Sequence, residues 1–256
     1  MQIPFFLHAD KVLCFAVIFA RLGAMMLTAP LYKCRSIPLH IRILFAFVLA
    51  ILVAPFQWYA TQSITVESDA FFLTLVENIL IGASLGLAVM LLFTGVQIAG
   101  GLVCRSGQFA AEAATEDITT PSGPMASRLL QWIALIVFVT MGGHRLLMVA
   151  LLDSFQSIPV TVDFSPEGLW QTIVLMVGKS FHLALRVAAP IVTALLASTL
   201  IVGLASRAVP QINAFTVGFA INIWSTLLIM FFSATLLAYL FQDQVHSFLS
   251  TWSSMI

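Results

Sequence analysis

The sequence predicts an all-α, polytopic membrane protein of long, kinked helices, and three observations carry that prediction. Hydrophobic residues make up 61% of the chain and charged residues 9%, whereas soluble domains carry roughly one quarter charged. From Asn78 through Cys104 no side chain bears a formal charge, a stretch that as a helix exceeds the roughly 30 Å of bilayer hydrocarbon. Within it Gly82 and Gly86 make one small-xxx-small step and Ser84 and Ala88 a second, while Gly95, Gly100 and Gly101 lighten the far end. Such spacing lets helix backbones approach closely where lipid supplies no hydrophobic drive, although glycine is frequent in membrane helices for no packing reason as well.

Taken in order, Met1 to Asp10 lacks the positive start of a cleaved signal, so the N-terminus is expected to belong to the first helix. That helix is Val12 to Thr28, apolar except for Arg21, and it stops at Ala29-Pro30. A charge at such depth is expensive unless paired, so Arg21 either snorkels or meets a partner. Leu31 to Arg42 holds Lys33, Arg35 and Arg42 and no acid, which places this turn on the cytoplasmic side. Pro38 suits the first turn of a second helix running to about Pro55. Gln57 to Ala70, with Glu67 and Asp69, then falls on the opposite side. The third helix starts at Phe71 and, at about 50 Å, must tilt, break at a glycine or project beyond the lipid.

It empties into Cys104 to Pro124, the most polar and small-residue-rich segment. Arg128 to Leu152 follows, broken at Gly142-Gly143-His144-Arg145, and then Asp153 to Gly168, a connector turned around Pro159 and Pro166. A fifth segment begins near Glu167 and carries Lys179, His182 and Arg186 as one cationic stripe, with Pro190 separating it from Ile191 to Ser206. Gln211 to Gln242 is free of charge, and its Asn213, Asn222, Ser225 and Thr226 are expected to face another helix. Alternating sides puts Lys33 in, Glu67 out, Arg105 in, Asp163 out, Arg186 in and Arg207 out. The half-helices around Arg145, Lys179 and Arg186 are too short or too charged to face lipid all round, which favours broken helices packed against other protein.

Signatures of chemistry are sparse. Eleven Lys and Arg balance eleven Asp and Glu with no basic tail, so nothing points to nucleic acid. His8, His40, His144, His182 and His246 are scattered, and Cys14, Cys34 and Cys104 make no C-x-x-C, which leaves no metal motif. Gly178-Lys179-Ser180 copies the end of a phosphate-binding loop, but Ile173 occupies the position of its first glycine. No catalytic residue and no cofactor is expected. Glu77 either relays protons or pairs at a helix end with a cation such as Arg21 or Arg186. The cationic stripe lines an aqueous path, faces anionic groups of a partner or snorkels. Arg21, Glu77, Lys179 and Arg186 are thus the candidate buried charges. The Cys104 to Pro124 loop either obstructs a channel or is a solvated connector. One functional reading of this pattern is a secondary transporter with broken helices moving ions or small solutes.

A more specific reading rests on GLASRAVPQINAFTVGFAINI, Gly203 to Ile223, which resembles the signature of the FliR family of flagellar and type III secretion export-gate membrane proteins. The same pattern runs through Thr28 to Ala50, Glu77 to Phe93, Ala99 to Val103 and Gly142 to Val160, in the family's order. Arg207, Pro210 and Gln211 fit its R-x-x-P-Q element, Ser36 and Pro38 its S-x-P turn, Ala99 and Gly100 its A-G pair, and Gly142, His144 and Ser154 its helix and connector pattern. The chain departs from the family after Gly100, where Asp117 is followed by Ile118 instead of proline. The resemblance implies a single helical export-gate subunit over 1–256 built of long, kinked helices and helical hairpins, with a FliP-like portion at about 1–165 and a FliQ-like portion at about 166–256. It implies packing with FliP-like and FliQ-like gate subunits into a hetero-oligomeric gate, contact with an FlhB-type switch protein and unfolded substrates threading a pore. It places the protein in the bacterial inner membrane, at a flagellar basal body or secretion apparatus, with no enzymatic activity of its own. Gly107, Phe109, Ala110, Ala113 and Asp117 fall in the loop that resembles the pore plug. Gly82, Gly86, Gly100, Arg207, Pro210 and Gln211 are the candidate helix-packing and subunit-interface residues.

Overall fold

A computed structural model describes residues 9–30, 38–60, 71–106, 125–157, 166–208 and 214–255, and among these the regular structure is helical throughout. The helices are α1 (Ala9–Thr28), α2 (Leu39–Ala60), α3 (Phe71–Ser106), α4 (Met125–Thr140), α5 (Gly143–Ser157), α6 (Pro166–Ala208) and α7 (Ala214–Met255). Five of them, α1, α2, α3, α6 and α7, are long and apolar enough to cross a membrane, and α4 with α5 makes a sixth if the broken pair is one span. The protein is an all-α polytopic membrane protein.

Local chemistry sets most of the boundaries. The amide of Ala29 donates to the Met25 carbonyl at 2.9 Å and Pro30 cannot continue the ladder. Pro38 stands just ahead of α2, its carbonyl accepting from the amides of Ile41 (3.1 Å) and Arg42 (3.4 Å). Between α4 and α5, Gly142 takes φ 73°, a left-handed angle that glycine adopts without a steric penalty. Its carbonyl accepts from Arg145 at 2.8 Å and Leu146 at 3.1 Å, so the break needs only two residues and His144 and Arg145 are already helical.

Three expectations need correction. The expected connector from Asp153 is helical as far as Ser157; the burial of Ser154 and Phe155 outweighs the weak helix preference of a polar stretch. Pro166 opens α6 instead of turning a loop, a place where its missing amide costs nothing. Pro190 does not divide the fifth segment, because α6 runs unbroken through it for 43 residues. An interior proline costs a helix about 3 kcal/mol, but unwinding would expose several backbone groups to apolar surroundings at several kcal/mol each. Lys179 and Arg186 therefore stand on one continuous helix.

The chain divides into two compact units. One comprises Met1–Leu91, Gly142–Met176 and Ser247–Ile256, the other Leu92–Met141 and Val177–His246. In the first, Ile18, Leu22, Met25 and Met26 of α1 are buried along with Ile81 and Leu85 of α3 and Leu147 and Leu151 of α5. In the second, Phe93, Phe138 and Phe241 interlock with ring centroids 5.7, 5.4 and 6.3 Å apart, and Val103, Ile191 and Leu195 form a further apolar cluster. Asn222 of α7 faces α6, where the Ser198 hydroxyl donates to its Oδ1 at 2.7 Å.

α3 is the most enclosed of these helices. It runs unbroken for 36 residues, about 54 Å at the α-helical rise, and 61% of its apolar 18-residue stretch is buried, against 22% of the corresponding stretch of α6 and 28% of that of α7. None of its glycines breaks it, and their use lies in what they let approach.

Candidate functional site

Arg21 lies in the middle of α1 and is 0% exposed. Its Nε donates to Asn78 Oδ1 on α3 at 2.8 Å. Its Nη1 donates to the Ser154 carbonyl on α5 at 3.0 Å and to the Ser154 hydroxyl at 3.3 Å. The guanidinium carbon sits 4.3 Å from the centroid of the Phe155 ring, within the range at which a cation is attracted to the ring face. The acceptors are themselves held. Asn78 Nδ2 donates to the Thr74 carbonyl at 2.7 Å and Ser154 Oγ to the Leu151 carbonyl at 2.6 Å. A planar fork with several fixed donors suits this better than an ammonium, since one side chain ties α1 to two other helices.

One turn further along α3 the backbones themselves touch. A Cβ built on Gly82 would collide with the carbonyl oxygen of Arg21, and one on Gly86 with the Thr28 side chain and, at 2.9 Å, the Met25 carbonyl oxygen. Asn78, Gly82 and Gly86 share one stripe of α3. The contacts advance from Arg21 to Thr28 as they advance from Gly82 to Gly86, so α1 and α3 run parallel. In the second unit the device recurs. A Cβ on Gly95 would stand 2.6 Å from the Ser180 carbonyl oxygen of α6, and one on Gly100 would collide with the Ser127 backbone of α4. There Ser127 Oγ donates to the Gln97 carbonyl at 3.2 Å. Gly101, one residue on, faces open space.

The remaining candidates are less enclosed. Glu77 and Lys179 are half-buried, and His182, Arg186 and Arg207 are exposed, with Arg207 in the last turn of α6. Gly107, Phe109, Ala110, Ala113 and Asp117 in the loop after α3, and Pro210 and Gln211 before α7, lie outside the described residues. Reasoning from the sequence did not single out Asn78 or Phe155 beside Arg21, nor Gly95 as a contact to α6. An asparagine next to Glu77 in an otherwise apolar run was the one available signal, since intramembrane amides face other helices. Among the described residues no three His, Cys, Asp or Glu side chains come together, and Cys14 and Cys104 are buried thiols. The arrangement holds helix backbones in contact.

Comparison with known proteins agrees with a scaffold of this kind. The family model described as bacterial export proteins, family 1, matches residues 12–248. The flagellar biosynthetic protein FliR of Pectobacterium carotovorum subsp. carotovorum is 31% identical over 80% of this chain and 78% of its own length. That of Bacillus subtilis (strain 168) is 30% identical over 82% and 81%. That of Caulobacter vibrioides is 25% identical over 97% of this chain and 99% of its own. With the match running from the first helix to near the end of the last, this chain belongs to the bacterial export proteins of family 1, the FliR family.

Proposed function

We propose that this protein is a structural and gating subunit of the flagellar type III export apparatus in the bacterial inner membrane, and that it forms part of the pore through which unfolded substrates leave. One observation carries the partner-dependent side of this reading. On α6 large apolar side chains are exposed from Trp170 (68%) to Leu204 (67%), a distance of about 50 Å along the helix, while the hydrocarbon of a bilayer is roughly 30 Å thick. Lipid alone leaves part of that surface in contact with polar surroundings, and packing against other subunits covers the remainder. FliP-like and FliQ-like gate subunits and an FlhB-type switch protein are the partners this reading takes, with residues 1–165 as the FliP-like portion and 166–256 as the FliQ-like one. In this reading Arg207, Pro210 and Gln211 belong to the subunit interface.

The test is purification. Expressed together with its companion gate subunits, the chain is expected to leave the membrane in a stable hetero-oligomer, and a strain lacking it is expected to stop exporting flagellar subunits. A monomer that moves a solute unaided would overturn the proposal.

The loop between α3 and α4 serves in this reading as the plug of the closed pore, with Phe109 its bulky element among glycines and alanines. Deleting residues 107–115 is expected to make the closed assembly leak ions and small molecules while the subunits still assemble. Permeability of liposomes carrying the intact and the shortened protein checks it, and equal permeability would remove the loop from the gate.

A further inference from the structure

We propose that the outer face of α6 around Arg186 docks a helix of a companion subunit that brings a carboxylate to that guanidinium. The proposal rests on the gate-subunit reading above and names the chemistry of one of its contacts. The apolar span of α6, Trp170–Ala208, carries Lys179, Arg186 and Arg207 and no Asp or Glu. Arg186 lies near the middle of that span and is exposed. Among the described residues no ion pair or hydrogen bond holds it. Gly178, His182, Leu185 and Ala189 are exposed on the same face, at the spacing of one helical stripe. A Cβ on Gly178 would meet nothing within 4 Å.

Lipid does not account for this face. Arg186 divides the exposed apolar surface of α6 into two stretches, Trp170 to Leu185 and Leu196 to Leu204, which reach about 24 Å to one side of it and about 27 Å to the other. With the guanidinium at headgroup depth, a bilayer takes up one stretch and leaves most of the other in water, beyond an interfacial layer of roughly 6 Å. A bilayer that takes up part of both holds the cation inside hydrocarbon, where charge is costly. A protein helix lying along α6 covers both stretches at once. In covering Leu185 it also strips water from Arg186, and a cation so desolvated needs an anion. α6 has none to offer, so the partner supplies it, and the anion that a helix carries is the carboxylate of Asp or Glu. Gly178 and Ala189, on either side of Arg186, let the partner's backbone come close enough for a short acidic side chain to reach. A water-filled path fits less well, because Leu175, Leu185, Leu196 and Leu200 interrupt the polar positions of this face.

For the test the full chain is co-expressed with its companion subunits and purified in mild detergent. Arg186→Glu is expected to lower the companion protein recovered with the chain about tenfold or more, and Arg186→Lys to preserve most of it. A photoreactive p-benzoylphenylalanine in place of Ala189, with Arg186 intact, is expected to crosslink to a companion helix that has an Asp or Glu within about two turns of the crosslinked residue. Replacing that acid by arginine is expected to restore assembly with Arg186→Glu. Full recovery of companions with Arg186→Glu, a crosslink to lipid alone or to a segment without an acid, or no rescue by the reversed pair would overturn the proposal. So would rapid labelling of Ala189→Cys in the intact assembly by a charged, membrane-impermeant thiol reagent, the sign of a water-filled path. If Arg186→Glu does not accumulate in the membrane, the crosslinking and labelling results decide alone. A chain that purifies with no companion overturns the gate-subunit reading as well, whereas one that keeps its companions while the crosslink goes elsewhere overturns only this contact.

Discussion

Arg21→Ala is expected to destabilise the unit containing α1, the start of α3 and α5 by about 2–5 kcal/mol, the cost of stranding buried neutral acceptors together with the loss of a large packed side chain. The truncation removes the donor that Asn78 Oδ1 and the Ser154 carbonyl accept from, and water does not reach them to compensate. It also empties the space of a large side chain packed on Phe155, which adds a cavity term. Arg21→Lys is expected to fall between the two, because a single ammonium does not reproduce the fork that spans Asn78 and Ser154. Replacing the whole cluster by apolar residues of similar volume is expected to recover much of the loss, since the penalty comes from stranded polar groups more than from the lost attraction. Cys14, buried in α1, provides the readout. With Cys34 replaced, the temperature at which Cys14 becomes reactive to a thiol reagent in detergent should drop clearly in Arg21→Ala. An unchanged Cys14 transition would show that Arg21 contributes nothing to holding α1.

That Arg21 either meets a partner or snorkels was legible from the sequence, because a guanidinium inside a membrane helix has few alternatives, and the structure shows the first. Which groups supply it was not. Asn78 and Ser154 lie 57 and 133 residues away along the chain, and no local pattern encodes which faces of α1, α3 and α5 meet. Helix breaks were legible where backbone chemistry is local, as at Gly142. They were misjudged at Pro190, where a local rule about proline lost to the cost of exposing backbone in an apolar setting. The all-α membrane class followed from composition and from the charge-free run in α3. The glycines were half legible, since spacing marks a possible close contact but does not separate Gly100, seated against Ser127, from Gly101, which faces nothing. The loop with Phe109 lies outside the described residues.

The glycines supply the sharpest contrast of signs. Gly82→Ala is expected to destabilise the same unit by about 1–3 kcal/mol or more, the cost of overpacking a closed contact, and to reduce export. The new methyl would overlap the Arg21 carbonyl oxygen and lie within 2.9 Å of its carbonyl carbon and 3.1 Å of its Cα. All three are backbone atoms of α1, so only displacement of that helix relieves the clash. Gly86→Ala meets first a side chain, that of Thr28, but behind it the Met25 carbonyl, so rotation of the threonine gives partial relief and a smaller effect. Gly101→Ala meets nothing and is expected to be neutral or to stabilise by up to about 1 kcal/mol through helix propensity. Thiol-reactivity transitions, at Cys14 for the first two and at Cys104 for Gly101→Ala, check the order. The displacement forced by Gly82→Ala also pulls Arg21 from Asn78, so the two sites act on one contact. In the Arg21→Ala background Gly82→Ala should therefore cost less than it does alone, a coupling expected of neighbours that share a contact. If the two costs simply add, or if Gly82→Ala behaves like Gly101→Ala, α1 is not held against α3 through this pair of contacts.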